Sequence, residues 1–436
     1  MKKLKVSPNQ RFLMTEDGEP FFWMGDTAWE LFHRCTREQI EIYLENRRQK
    51  GFNVIQAVIL AEEDGLGTPN MYGDCPLIDL DPEQPNEAYF EVVDFTIEKA
   101  NQKGLYVGLL PTWGDKAVPM WGVGPVVFTP ENAKVYGNWL AKRYQAFNNI
   151  IWILGGDRPI ISEQGGDARA LWSQMAEGIK EVRDDWLITY HPNGGRVEDS
   201  KATVVHAQDW ADLVMYQSGH GQADSPTWQD AAVLYDLEPA KPFLDGEINY
   251  EDHAILPSWP KWNPLDGYFR DHDVRKQMYR SVFAGACGVT YGHHHVWQMW
   301  DYHREVKNNG FELRPWYDAI DRPATFQVKH LVNLMTKYPY FSRIPDQSII
   351  LSDAGVAGQH ICATRDREGN YVMVYVPDVG QQVQVDLSVV KKPYEISLFD
   401  PRTGYTHPIE GQFQADTYTF TSPVIGPDWV LLIEKA

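Results

Sequence analysis

Two short segments carry an apolar run into a glycine and then a carboxylate: Trp152-Ile153-Leu154-Gly155-Gly156-Asp157 and Phe243-Leu244-Asp245-Gly246-Glu247. Paired carboxyls are the working parts of glycoside hydrolysis, one giving a proton to the leaving oxygen and the other attacking the sugar or activating water. Asp157 follows two glycines, which let the backbone turn sharply and approach a ligand closely. A carboxyl desolvated there is pushed toward the pKa of a general acid. Glu247 is followed by Asn249-Tyr250-Glu251-Asp252. A nucleophilic carboxylate must stay ionised, so it wants donors that Tyr or His side chains supply. Each segment also has a plain structural reading. Asp157 would then be a loop residue paired with Arg158, and Asp245 or Glu247 would close a salt bridge at a rim.

The chain holds 16 Trp and 22 Tyr, rich for its length. Several lie just past strand ends: Trp29, Trp113, Trp121, Tyr216, Trp297 and Trp300. Flat aromatic faces stack on sugar rings while polar side chains hold hydroxyls, although large aromatics also fill cores. Polar residues at corresponding places are Asp26, Gln56, Asp115, Arg158, His191, Gln217, His220 and Asp245, with His293-His294-His295 near the end of the pattern. The expected substrate contacts are therefore Asp26, Trp29, Gln56, Trp113, Asp115, Arg158, His191, Tyr216, Gln217, His220, Asp245, His293, His295 and Trp297. Histidine clusters also bind zinc. Consecutive histidines in an extended segment point to alternate sides, so a metal would need distant partners such as His191, His220 or Asp245. There is no HExxH motif, and no metal is expected.

Positioning these residues requires a frame. From residue 21 the pattern alternates strand and helix, with strands expected at 21–24, 53–60, 105–110, 150–154, 187–190, 213–216, 242–244 and 288–291. Helical spacing fills 37–50, 89–103, 132–147, 168–183, 228–237 and 274–286. Thr36-Arg37-Glu38-Gln39 resembles a capping box, Thr129-Pro130-Glu131 places proline in a first turn, and Gly51 and Gly104 are stops. Strands this apolar are buried on both faces, as parallel strands are. Eight of them alternating with helices argue for an α/β fold, a closed (β/α)8 TIM barrel, over residues 1–340. Strands four and seven then face each other across the barrel mouth. Carboxyls there could approach within roughly 5 to 5.5 Å, the spacing of a retaining enzyme.

After Asp346 the pattern becomes short alternating strands, expected at 348–351, 360–364, 371–376, 383–387, 394–400 and 429–433, with a hairpin loop at Asp366-Arg367-Glu368-Gly369-Asn370. This is a small antiparallel β-sandwich over 346–436, and Pro339 to Pro345 is the expected junction.

A formal net charge of -20 repels phosphate backbones and anionic bilayers, so neither nucleic acid nor membrane is expected as a partner. The partner expected is an oligosaccharide or polysaccharide; an anionic one would need a local basic pocket. Cys35, Cys75, Cys287 and Cys362 are scattered and read as buried thiols. Met1-Lys2-Lys3-Leu4-Lys5 leads into polar residues, without the apolar run of a signal peptide. A cytoplasmic protein is expected from the chain as given, with an extracytoplasmic one whose leader has been removed as the alternative. No apolar run approaches the roughly 20 residues of a membrane span. No cofactor is called for, and nothing indicates an oligomeric state.

The segments Leu4-Lys5-Val6-Ser7, Arg11-Phe12-Leu13 and Gly18-Glu19-Pro20-Phe21-Phe22-Trp23-Met24-Gly25-Asp26-Thr27-Ala28-Trp29-Glu30-Leu31-Phe32 resemble the apiosidase-like glycoside hydrolase family. So does Asn149 to Asp157. The resemblance covers roughly residues 4 to 340 and implies a (β/α)8 barrel with Asp157 as acid/base and Glu247 as nucleophile. Many members of the wider clan carry Asn-Glu where this chain has Gly156-Asp157. The aspartate is one methylene shorter, and the apiosidase-like pattern itself has it. Members commonly carry a C-terminal β domain labelled collagen-binding; residues 346–436 look similar, and shielding a barrel flank is the expected role. The function expected is retaining hydrolysis of plant cell-wall (pectic) glycans, as an apiosidase. The alternatives are a metal-dependent hydrolase using the rim histidines and a non-catalytic carbohydrate-binding barrel. Substrate shape would be set by the loops 62–85 and 253–273.

Overall fold

Eight strands in which every residue is buried form the centre of the molecule: β1 (Trp23–Thr27), β2 (Val54–Leu60), β3 (Tyr106–Thr112), β4 (Ile150–Gly155), β5 (Ile188–His191), β6 (Val214–Tyr216), β7 (Phe243–Asp245) and β8 (Gly288–Tyr291). The computed structural model describes residues 1–257, 262–304, 314–411 and 413–436, so 258–261 of the 253–273 loop lie outside the described residues. The strands are parallel and run in the order β5-β4-β3-β2-β1-β8-β7-β6. The ring closes between β5 and β6, where Asp212 N–H donates to Ile188 O at 2.9 Å and Thr189 Oγ1 donates to Leu213 O at 2.9 Å. This is the expected (β/α)8 barrel.

Helices pack outside it: α1 (Arg37–Lys50), α2 (Glu87–Lys103), α3 (Pro130–Tyr144), α4 (Arg169–Lys180), α5 (Thr227–Tyr235), α6 (Asp271–Phe283) and α7 (Pro323–Lys337). Their ends follow local chemistry. Thr36 and Gln39 form a reciprocal capping box, as do Thr129 and Asn132, and Gly51 and Gly104 stop α1 and α2 in the left-handed conformation. Only two short helices, Val197–Ser200 and Ala202–His206, separate β5 from β6. No helix among the described residues is long and apolar enough to cross a membrane.

The first strand differs from expectation. Pro20–Phe21 pairs instead with Leu13–Thr15 in a small antiparallel sheet that also holds Leu4–Val6, and the barrel strand begins at Trp23. The apolar run Phe21 to Met24 contains no residue that marks a break, so its pattern alone merges two strands.

The C-terminal strands are β9 (Arg343–Pro345), β10 (Cys362–Asp366), β11 (Tyr371–Val376), β12 (Gln382–Asp386), β13 (Tyr394–Phe399), β14 (Thr406–Pro408), β15 (Thr417–Thr421) and β16 (Trp429–Lys435). Six form one antiparallel sheet, β9-β10-β11-β16-β13-β14, and β12 pairs with β15 as a ribbon. Alternation explains why β11 and β16 are buried on both faces. Val372, Val374, Leu431 and Ile433 join Val383, Val385 and Phe420 of the ribbon in one core. Tyr371, Met373, Tyr375, Val430 and Leu432 pack with the barrel. Two expectations change. Arg343–Pro345, read as junction, is an edge strand, and the strand expected at 348–351 begins as a tight turn over Gln347–Ile349 capped by Asp346. The joint to the barrel runs through α6, where Arg275 grips buried Asp428 at 3.0 and 2.7 Å, and Trp228 on α5 stacks on His360 at 4.1 Å.

Candidate functional site

Asp157 leaves the end of β4 through three consecutive positive φ angles: Gly155 at 84°, Gly156 at 114° and Asp157 itself at 52°. The glycines are required. A Cβ on Gly155 would lie 2.6 Å from His191 O, and one on Gly156 would lie 2.8 Å from Gly114 N. Gly156 N–H donates to His191 O at 3.0 Å, and Gly156 O accepts from Gly114 N–H at 3.1 Å, so the ends of β3, β4 and β5 are tied at this turn. The Asp157 carboxyl is left 26 % exposed, which keeps it reachable from the mouth. Its Oδ2 accepts from Trp121 Nε1 at 2.8 Å and lies 3.5 Å from the Arg158 guanidinium.

Glu247 follows β7 and is buried. His191 Nε2 stands 3.0 Å from Glu247 Oε2, and His220 Nδ1 stands 3.8 Å from Oε1. The tautomer of His191 is set by Asp157, whose backbone N–H donates to Nδ1 at 3.3 Å. The proton of the neutral ring therefore sits on Nε2, facing Glu247. Tyr250 completes the cradle: its hydroxyl accepts from Trp29 Nε1 at 3.1 Å and bonds Glu247. Trp29 and Trp113 pack on the His191 ring at 5.2 and 5.8 Å. Below, inside the barrel, Gln56 holds the peptide before Glu247, donating to Gly246 O at 3.1 Å while accepting from Thr290 Oγ1 at 2.9 Å. Gln277 on α6 accepts from Asn249 N–H at 2.9 Å and steadies the same loop.

The environments push the two carboxyls apart. Burial and then the charge of Glu247 raise the Asp157 pKa above the usual range, against Arg158, Trp121 and His191. Burial also opposes the charge of Glu247, but the N–H of His191 beside it, with His220 and Tyr250, lowers its pKa overall. One group is biased toward the acid and the other toward the carboxylate, which is the division of labour that acid and nucleophile require.

Of the other expected contacts, Trp29, Trp113, Arg158, His191 and His220 surround this pair. Several lie elsewhere. Asp26 turns outward from β1, bonded to Tyr43 on α1 and to Arg47 Nε at 2.6 Å. Asp245 and Tyr216, paired in register on β7 and β6, also face the helix layer; Asp245 accepts from Ser281 Oγ at 2.9 Å and Ser218 N–H at 3.1 Å. Burial holds its carboxyl up at about 7. Asp115 shapes the loop after β3, pairing with Lys116 at 2.9 Å and capping Gly124 N–H at 2.8 Å. Gln217 is buried, and among the described residues its Oε1 has no hydrogen-bond partner, nor do Trp113 Nε1 and Trp300 Nε1, while Trp297 is buried against the core.

His293 and His295 do come together, because the segment turns instead of running extended, and their partner is Asp252. His191, His220 and Asp245 are not involved. Asp252 is already claimed by His293 at 3.2 Å and by Arg314 and Arg322, each at 3.0 Å. Two guanidiniums on one carboxylate oppose a cation there. His294 lies fully buried, and its burial pushes its pKa well down.

Three residues of the site were not among the expected contacts. Tyr250 and Trp121 touch the carboxyls directly. Glu62, just past β2, has its pKa raised by burial and by the charges of Glu63 and Asp157. In the sequence it carries the same signal as Asp157, a carboxylate beyond an apolar strand.

Residues 7–342 match the model described as "Apiosidase-like, catalytic domain". The chain belongs to this apiosidase-like family. It is a glycoside hydrolase, and a carbohydrate is its substrate. Residues 344–434 match "Putative collagen-binding domain of a collagenase". Among solved structures, one called a glycoside hydrolase is 31 % identical, with a TM-score of 0.88, and the match covers 100 % of this hydrolase and 97 % of that chain. A glycoside hydrolase family 5 protein from Bacteroides vulgatus is 30 % identical, with a TM-score of 0.87, covering 99 % and 93 %. No curated protein matches this glycoside hydrolase.

Proposed function

We propose that the enzyme is a retaining hydrolase of plant pectic glycans, acting as an apiosidase, with Asp157 as acid/base and Glu247 as nucleophile. The observation that carries the mechanism is the pair of opposed environments: a buried Glu247 held as carboxylate by His191 and Tyr250, coupled to an Asp157 biased toward its protonated form. Glu247 attacks the anomeric carbon as Asp157 protonates the bridging oxygen, and the C–O electron pair leaves with that oxygen. Asp157, now ionised, takes a proton from the water that opens the glycosyl–Glu247 ester. The family's description supports the apiose-linked substrate. The test is hydrolysis of pectin-derived oligosaccharides by Asp157→Asn and Glu247→Gln, with the product anomer followed by NMR. Each variant is expected to lose about a thousandfold or more in kcat, and the first-formed product keeps the substrate's configuration. Near-wild-type turnover by either variant overturns the assignment, and an inverted product overturns the double displacement.

A further inference from the structure

The loop between β3 and α3 carries Trp121 over the end of β4. Its indole edge is tied to Asp157 Oδ2 at 2.8 Å, and the Arg158 guanidinium lies 4.3 Å from the ring centroid. Arg158 is itself fully buried and donates both to Asp157 O, at 2.6 Å, and to Trp121 O, so the indole is clamped from beneath. Yet Trp121 is 44 % exposed, whereas Trp29, Trp113, Trp297 and Trp300 are no more than 7 % exposed. The other four are buried. Trp121 offers a face.

We infer that Trp121 is the platform on which the leaving-group sugar stacks, and that the same indole orients Asp157 toward the bridging oxygen. This rests on the reading of Asp157 as acid/base. The nucleophile and the acid approach the scissile bond from different sides, so a platform bonded to Asp157 and not to Glu247 lies on the leaving-group side. The ligand is a sugar ring presenting an apolar C–H face, which the open face of a flat indole at the barrel mouth is shaped to stack on. Orientation follows from the donors. Trp121 Nε1–H occupies Oδ2, with Arg158 also on that side, and among the described residues no donor reaches Oδ1. The transferable proton therefore resides on Oδ1 and passes to the bridging oxygen as the C–O bond breaks.

Trp121→Ala and Trp121→Phe, with thermal melting as a fold check, separate the two roles on two substrates: a pectin-derived oligosaccharide that the wild type hydrolyses and the fluoride of the same glycosyl unit. Fluoride occupies no sugar subsite and needs little acid assistance. Trp121→Ala is expected to lose about tenfold or more in kcat/KM on the oligosaccharide while staying within about threefold on the fluoride. Trp121→Phe keeps the stack and loses the N–H, so its KM changes little, its kcat falls, and the alkaline limb of its pH profile moves to higher pH. Equal losses on both substrates, or no loss on either, overturn the platform. An unmoved alkaline limb overturns the orienting bond. Asp157→Ala distinguishes the underlying reading: if that variant still hydrolyses the oligosaccharide normally, Asp157 is not the acid and the failure lies there.

Discussion

His191 is the residue that joins the two halves of the site, accepting from the Asp157 amide on one nitrogen and facing Glu247 with the other. Replacing it with Phe keeps the ring contacts to Trp29 and Trp113 and removes what offsets the burial of Glu247. The Glu247 carboxyl then rises, and the acidic limb of kcat/KM, below which the proposed nucleophile is protonated, moves up by about one pH unit or more. An unmoved acidic limb in His191→Phe would refute the coupling. At this scale the sequence was legible wherever position at a strand end was enough: Asp157, His191 and Glu247 meet. It was not legible for Asp26, Tyr216 and Asp245, because side chains alternate along a strand and a shift of one residue exchanges barrel interior for helix layer. Apolar runs buried on both faces carry no alternation from which that parity could be read.

The elements that hold the carboxyls derive their precision from backbone turns with little room. β4 ends in two glycines because the ends of β3 and β5 press on the same place, and Gly156 has both a left-handed φ of 114° and Gly114 N 2.8 Å from where its Cβ would stand. Gly156→Ala is expected to destabilise the protein by about 1 to 3 kcal/mol in denaturant melts, and to lower kcat more than KM by displacing Asp157. Wild-type melting together with wild-type turnover would show that the turn tolerates a side chain. Elements with chemical punctuation were legible in the sequence to within a residue or two, as α1 and its capping box show. α7 was not foreseen, although Pro323 stands in its first turn and Ala324, Val328, Leu331, Leu334 and Met335 are buried at helical spacing. Its pattern follows a long segment without regular periodicity after β8, and the expected helices stopped with the strands they served. The short strands β14 and β15 escaped for another reason: their largely exposed residues alternate too weakly to show a buried face.

Over the whole molecule, stability should depend on pH through carboxyls that folding pushes in opposite directions. Burial raises Asp245 and Glu251 from ordinary values to about 7, whereas Glu30 and Asp252, buried but paired with Arg and His side chains, are lowered to about 2. For the raised pair the folded protein binds more protons than the unfolded chain between about pH 4 and 7, so stability falls as pH rises through that window. For the lowered pair the unfolded chain binds more protons, so their contribution is present above about pH 4.5 and is lost as pH falls toward 2. The melting temperature is therefore expected to rise from pH 8 to about 5 and to drop below about pH 4. The net charge of -20 acts in the same direction on the alkaline side, since fewer ionised carboxyls repel less. Asp245→Asn with Glu251→Gln separates the two effects, because each amide can reuse the existing partners: Ser218 N–H and Ser281 Oγ for the first, Tyr291 OH and Ala324 N–H for the second. At about 1.4 kcal/mol per pH unit, each raised carboxyl is worth a few kcal/mol at pH 8, or a few degrees of melting temperature in a chain this long. The double variant should show a smaller difference in melting temperature between pH 8 and pH 5.5 than the wild type, its remaining slope coming from overall charge and from the other carboxyls that burial raises, Asp157 and Glu62 among them. If its slope over that range equals the wild type's, Asp245 and Glu251 are not the source of the alkaline side of the profile.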